Sequence, residues 1–139
     1  MLALDTNVIL RYLVGDDAKQ QQLAFELIDA YSGQTGSLLL NNIVLCELVW
    51  VLQSGYQYSE EQIADLLHNL LLVPELVFEN YELIADSILT YKDQGGDLAD
   101  ILISKTNQYL GATHTISFDK QACKKGYFTS PEAIEKKKP

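Results

Sequence analysis

The sequence predicts an α/β protein, with a parallel sheet of four or five short strands between helices as a three-layer sandwich. Three observations carry this. Short apolar runs recur (LAL at 2–4, LLL at 38–40, LVF at 76–78), each the length of a strand rather than a helix. The stretches between them are long enough for one or two helices, which makes parallel pairing through crossovers the economical topology. Acidic residues stand directly after two of the predicted strands, Asp5 after the first and Asp119 after the fourth, where open α/β sheets gather their polar function.

The elements follow in order. Leu2-Ala3-Leu4 reads as a short buried strand ending at Asp5-Thr6-Asn7. Val8 to Val14 continues as a helix with Ile9, Leu10 and Leu13 on one side. Gly15-Asp16-Asp17 breaks it and offers an N-cap to a second helix, in which Leu23, Leu27, Ala30 and Tyr31 recur at helical spacing. Gly33 to Ser37 is a loop before the strand Leu38-Leu39-Leu40. Ile43 to Leu52, the most apolar stretch, predicts a buried helix. Ser59 with Gln62 has the spacing of a capping box, opening a helix from Glu60 to about Leu72. After Pro74, Leu76 to Phe78 is the third strand, Tyr81 to Lys92 a helix, and Gly95-Gly96 a turn. Asp97 opens a helix to about Leu110, Thr113 to Phe118 suits a fourth strand, and Tyr127 to Thr129 a weaker fifth.

No repeat, linker or low-complexity block divides the 139 residues, which predicts one domain over 1–130 and a short polar basic tail over 131–139. A domain of this length buries about two thirds of its unfolded surface and needs no disulfide to fold. No apolar run of about 18 residues occurs, so neither a membrane span nor a secretory signal is expected and a cytoplasmic location is. Cys46 and Cys123 form no CxxC pair and read as free thiols, not zinc ligands. Nineteen acidic against ten basic residues give a net charge of −9, which argues against a simple electrostatic binder of nucleic acid. Either the partner is something else, or carboxylates collect at a metal site that supplies positive charge. The cations themselves cluster, with Lys120, Lys124 and Lys125 together and Lys136 to Lys138 in the tail.

Four carboxylates stand out. Glu47 is the one charged residue between Ile43 and Leu52, and a buried carboxylate needs compensation, either from Arg11, the single arginine, or from a bound cation. The cation is the reading favoured here. Asp97 and Asp100 lie three apart at a helix start and so share a face with Ser104 and Asn107. Asp97 suits an N-cap. Asp5 and Asp119 also stand where caps stand, but the edge of a doubly wound sheet brings strand ends together, and clustered carboxylates need a cation or a proton. Mg²⁺ and Mn²⁺ prefer such oxygen ligands. Thr6, Asn7 and Ser117 offer hydroxyl or amide groups to orient ligands or water, whereas His68 and His114 read as packing or surface residues.

At these residues the sequence resembles the PIN domains, and among them the VapC-type toxins of bacterial and archaeal toxin–antitoxin pairs. The matching pieces are LALDTNVILRYLVGDD at 2–17, VLCELVWVL at 44–52, GGDLADILI at 95–103 and TISFDK at 115–120. The family pattern has an Asp after the first strand, a Glu in an apolar helix, an Asp in a D-x-x-D helix start and an Asp in T-x-D. These fall on Asp5, Glu47, Asp100 and Asp119, with Ser117 in place of the commoner Thr. The resemblance implies a parallel sheet sandwiched by helices, carboxylates that bind Mg²⁺ or Mn²⁺, cleavage of RNA, a homodimer and an inhibiting antitoxin. Two other classes predict different residues. A phospho-acceptor receiver domain needs an acidic pair after the first strand and an Asp ending the third, where this chain has Asp5-Thr6-Asn7 and Glu79. A PIN-fold protein that only binds partners would be signalled by loss of a ligand position, and all four are filled.

Overall fold

Leu2–Ala3 (β1), Leu38–Leu40 (β2) and Leu76–Phe78 (β3) pair as a parallel sheet in the order β1-β2-β3. The register is fixed by Leu2 opposite Leu38 and by Leu38 opposite Leu76. The computed structural model describes residues 1–134, so the predicted lysine run at 136–138 lies outside the described residues. The contacts of the chain divide it into two units, one spanning Met1–Tyr81 and one beginning at Glu82.

In the first unit each crossover uses two helices. Thr6–Leu13 (α1) and Ala18–Ala30 (α2) join β1 to β2, and Asn42–Ser54 (α3) and Glu60–Leu71 (α4) join β2 to β3. Every one of these helices starts on a side-chain cap, because Asp5, Asp17, Asn41 and Ser59 each accept a hydrogen bond from a first-turn N–H. The capping box is complete: the Ser59 N–H donates to Gln62 Oε1 at 2.9 Å and the Gln62 N–H to Ser59 Oγ at 3.1 Å. Leu38 and Leu40 of the sheet are fully buried with Leu48, Leu52, Ile63 and Leu67. The first strand departs from the buried run expected, since Leu2 is 40% exposed and Leu4, just beyond the strand, is the residue that enters the core.

Arg11 is engaged near the end of α1. Its Nε donates to Gln20 at 2.7 Å, its Nη1 to Asp16 at 2.8 Å, and Tyr56 donates its hydroxyl to the same Asp16 in a very short hydrogen bond. The Tyr56 bond and the guanidinium charge hold Asp16 below the ordinary carboxylate range.

The second unit is built from Tyr81–Gln94 (α5), Leu98–Tyr109 (α6) and Lys120–Lys124 (α7). Ile84, Tyr91, Leu98 and Ile101 form its buried centre, and Lys105 of α6 pairs with Asp86 of α5 at 2.7 Å. The fourth and fifth strands are reduced to one parallel bridge between Ile116 and Thr129. The Thr129 N–H donates to the Thr115 carbonyl at 2.8 Å and the Ser117 N–H to the Thr129 carbonyl at 3.0 Å. Pairing stops there because the chain turns at once into the cap of α7, where Ser117 Oγ accepts from the Asp119 N–H.

Candidate functional site

In the first unit the polar groups collect where the parallel strands end. Asp5 follows β1 and caps α1, its Oδ1 accepting the Thr6 N–H at 2.7 Å. Asn41 follows β2 and caps α3 through the Val44 N–H at 2.8 Å. Glu79 follows β3, and its Oε1 takes the Asn42 N–H at 2.7 Å. Since the strands run in register, these three side chains mark one edge, toward which the positive ends of α1 and α3 point. Asn41 escaped the sequence reading, and Glu79 entered it only in weighing the receiver-domain alternative, although each is a polar residue directly after an apolar strand, the same signal that singled out Asp5. Thr6 is buried at 8% exposure with its hydroxyl lacking a hydrogen-bond partner among the described residues. Asn7 is exposed and borders a cavity between α1 and α2.

Glu47 corrects an expectation. It is exposed, on an outward stripe with Ile43 at 70% and Trp50 at 68%, while Val44, Leu45, Leu48, Val49 and Leu52 face inward. A helix apolar nearly all round does not declare its buried side, and the spacing of four and three residues puts Glu47 with Ile43 and Trp50. Burial therefore gives Glu47 no need of a compensating charge. Arg11, the other compensation considered, is occupied by Asp16, Gln20 and Tyr56.

The second unit gathers Asp97, Asp100 and Asp119. Asp97 caps α6 through the Ala99 N–H at 2.9 Å, and Asp119 caps α7 through the Ala122 N–H at 3.0 Å. Asp100, in the first turn of α6, is half-buried, and its carboxyl is pushed above the ordinary range by burial first, then by the charges of Asp97 and Asp119. The turn that presents Asp97 and Asp100 is stapled by two residues to which the sequence reading gave other places, Tyr127 in a strand and Lys125 in a lysine cluster. Tyr127 donates its hydroxyl to the Gly95 carbonyl at 2.6 Å, and Lys125 Nζ donates to the Gln94 carbonyl at 2.9 Å. Gly96 stands at φ +101°, where an added Cβ would meet Lys125 Cδ at 3.0 Å and Tyr127 Cε2 at 3.2 Å. Asn107 Nδ2 donates to Thr115 Oγ1 at 3.0 Å, tying α6 to the segment that leads to Asp119. His114 is exposed beside Thr129, and His68 is exposed near the end of α4.

The donors are all oxygen, the set that hard divalent ions prefer. Among the described residues no three Asp, Glu, His or Cys side chains close on one point as a ready-made cage. Asp5, Asp97 and Asp119 each turn one oxygen to their own helix and keep the other. Because every donor is oxygen, the residues suit Mg²⁺ or Mn²⁺ in their chemistry, and the carboxylates of Asp97 and Asp119 near Asp100 are charge that a cation would offset. Neither Cys46 nor Cys123 is in a disulfide, and no helix of the described residues is long and apolar enough to cross a membrane.

A parallel sheet whose strands end at Asp5, Asn41 and Glu79 frames the site, and the sequence comparisons supply its class. The family model described as PIN domain matches residues 2–126, and the chain belongs to that family. This overturns the receiver-domain alternative. A VapC ribonuclease of Aquifex aeolicus (strain VF5) is 27% identical to it over 129 residues, covering 93% of this chain and 95% of that protein.

Proposed function

We propose that this protein is a divalent-metal-dependent endoribonuclease of the VapC type, the toxin of a toxin–antitoxin pair. PIN family membership over residues 2–126 supports this reading, as does similarity along nearly the whole chain to a protein named VapC ribonuclease. The observation that carries the metal is the electrostatic one. Asp97 and Asp119 at the starts of α6 and α7 gather with Asp100 in the first turn of α6, and burial with these two carboxylates holds Asp100 above its ordinary range, which supports a cation there.

In this reading Asp5, Glu47, Asp100 and Asp119 hold Mg²⁺ or Mn²⁺. A bound ion of this kind supplies water activation and charge stabilisation at the leaving oxygen of the phosphodiester. The chain's own residues set the geometry. Ser117 fixes the backbone of Asp119, Tyr127 and Lys125 fix the turn before Asp97 and Asp100, and Asp97 caps the helix that carries Asp100. Thr6 and Asn7 offer a hydroxyl and an amide beside Asp5. Residues 1–130 act as one PIN domain, working in the cytoplasm as a homodimer restrained by a cognate antitoxin.

The test is cleavage of RNA by the purified chain. Activity should need Mg²⁺ or Mn²⁺, vanish on chelation, and be lost in Asp5→Asn and Asp100→Asn while circular dichroism stays unchanged. Full cleavage in excess EDTA would end the metal-dependent reading.

A further inference from the structure

Beside Asp119 in sequence, the second unit has a cavity of about 410 Å³ whose lining includes Ser117, Phe118, Lys120, Lys124, Ser130 and Glu132. A nucleobase with its sugar fits that size. Phe118 is 85% exposed, and Ile116, on the same side of an extended segment, is 47% exposed. An aromatic ring held in water beside lysines has an apolar face with no ring partner among the described residues. Lys120 and Lys124, four apart on α7, share a helix face at the cavity and are both exposed. Lys125 differs from them, because its ammonium is held by the Gln94 carbonyl. In a chain of net charge −9, two ammonium groups with no ion pair among the described residues, beside an exposed ring, are a local exception.

Resting on the ribonuclease reading above, we infer that this cavity is a nucleotide subsite for single-stranded RNA. An unpaired base stacks on Phe118 and the adjoining phosphates lie against Lys120 and Lys124. Stacking on an aromatic ring needs an unpaired base, since in a duplex both faces are covered. Lysines supply phosphate attraction without sequence preference. Ser130 and Glu132 offer a hydroxyl and a carboxylate acceptor to the base edge, so a base carrying an exocyclic amine is favoured over uracil.

Binding to a fluorescein-labelled, unstructured 12-nucleotide RNA tests this, measured by anisotropy in Ca²⁺ with the full chain carrying Asp5→Asn. Phe118→Ala should weaken binding about 5- to 150-fold, the range for losing one stacked base. Phe118→Trp should restore it, and in a Trp50→Phe background the emission of that tryptophan should be quenched by the RNA. Lys120→Ala with Lys124→Ala should lower the slope of log affinity against log salt by about 0.7 per lysine. A duplex of the same sequence should compete poorly. No binding by the parent chain, an affinity within twofold in Phe118→Ala, equal competition by duplex, or an unquenched tryptophan would each overturn the subsite. If Phe118→Ala spares RNA affinity but changes the sedimentation coefficient, the ring belongs to a protein contact and the subsite is gone. Cleavage by the unmodified chain in Mg²⁺ is scored apart. Cleavage with binding indifferent to Phe118 removes the subsite alone. Phe118-dependent binding with no cleavage removes the ribonuclease reading alone.

Discussion

Asp100 shows how one side chain is set against its own surroundings. Its folded-state pKa lies above the unfolded value because burial and the charges of Asp97 and Asp119 disfavour the carboxylate. A raised acid pKa means that the folded chain holds the proton more tightly. The penalty is absent at acid pH, where both states are protonated, grows as pH rises from the unfolded-state value towards the folded-state one, and is complete above the latter. Metal-free Asp100→Asn should therefore melt higher than the parent at pH 7, and the two should converge below about pH 3. Thermal denaturation in EDTA at both pH values checks this, and a lower melting point for Asp100→Asn at pH 7 would contradict it. Gly96 illustrates the opposite case, a residue that its surroundings require. Gly96→Ala should cost about 1–3 kcal/mol in urea unfolding, from the positive φ and from the crowding by Lys125 and Tyr127.

At the scale of the element, α3 marks where sequence patterning stops informing. Its presence was legible from the apolar run Ile43 to Leu52, which the helix Asn42–Ser54 slightly exceeds at both ends, and the three strands read from LAL, LLL and LVF all form. Its buried face was not, because apolar residues on nearly every side leave the periodicity without contrast. The cap positions were readable for a simple reason. Asp5, Asp97, Asp119 and Ser59 are short polar side chains before helical patterns, and capping is local chemistry. Ser117, Tyr127 and Lys125 were placed by partners distant in sequence or by a turn that no periodicity announces. The two faces of α3 should respond differently to truncation. Leu48→Ala, at a fully buried position, should cost about 2–5 kcal/mol, whereas Trp50→Ala on the outward stripe should stay within about 0.5 kcal/mol. Equal losses in urea titrations would mean that Trp50 is covered in solution.

For the molecule as a whole, the excess of negative charge is the governing quantity. Nineteen acidic residues against ten basic ones oppose both compaction and the approach of RNA. A divalent ion bound by the carboxylates should relieve both. Mg²⁺ should raise the melting temperature in a saturable way, worth about 2.7 kcal/mol at a hundred times its dissociation constant. Sodium chloride of matched ionic strength should give a smaller, non-saturating rise. Identical curves for the two salts would reduce the effect to screening and leave no specific ion.

The engagement of Arg11 has a consequence for how a strand can be gripped. It is the one arginine in the sequence, and it is occupied with Gln20, Asp16 and Tyr56. A guanidinium fork fixes a phosphate in orientation as well as position, whereas an ammonium attracts it from any direction. With only lysines to offer, the protein can hold a polyanion without clamping it. On the ribonuclease reading, a strand so held would stay free to slip along its own length until a favoured base came to rest on Phe118.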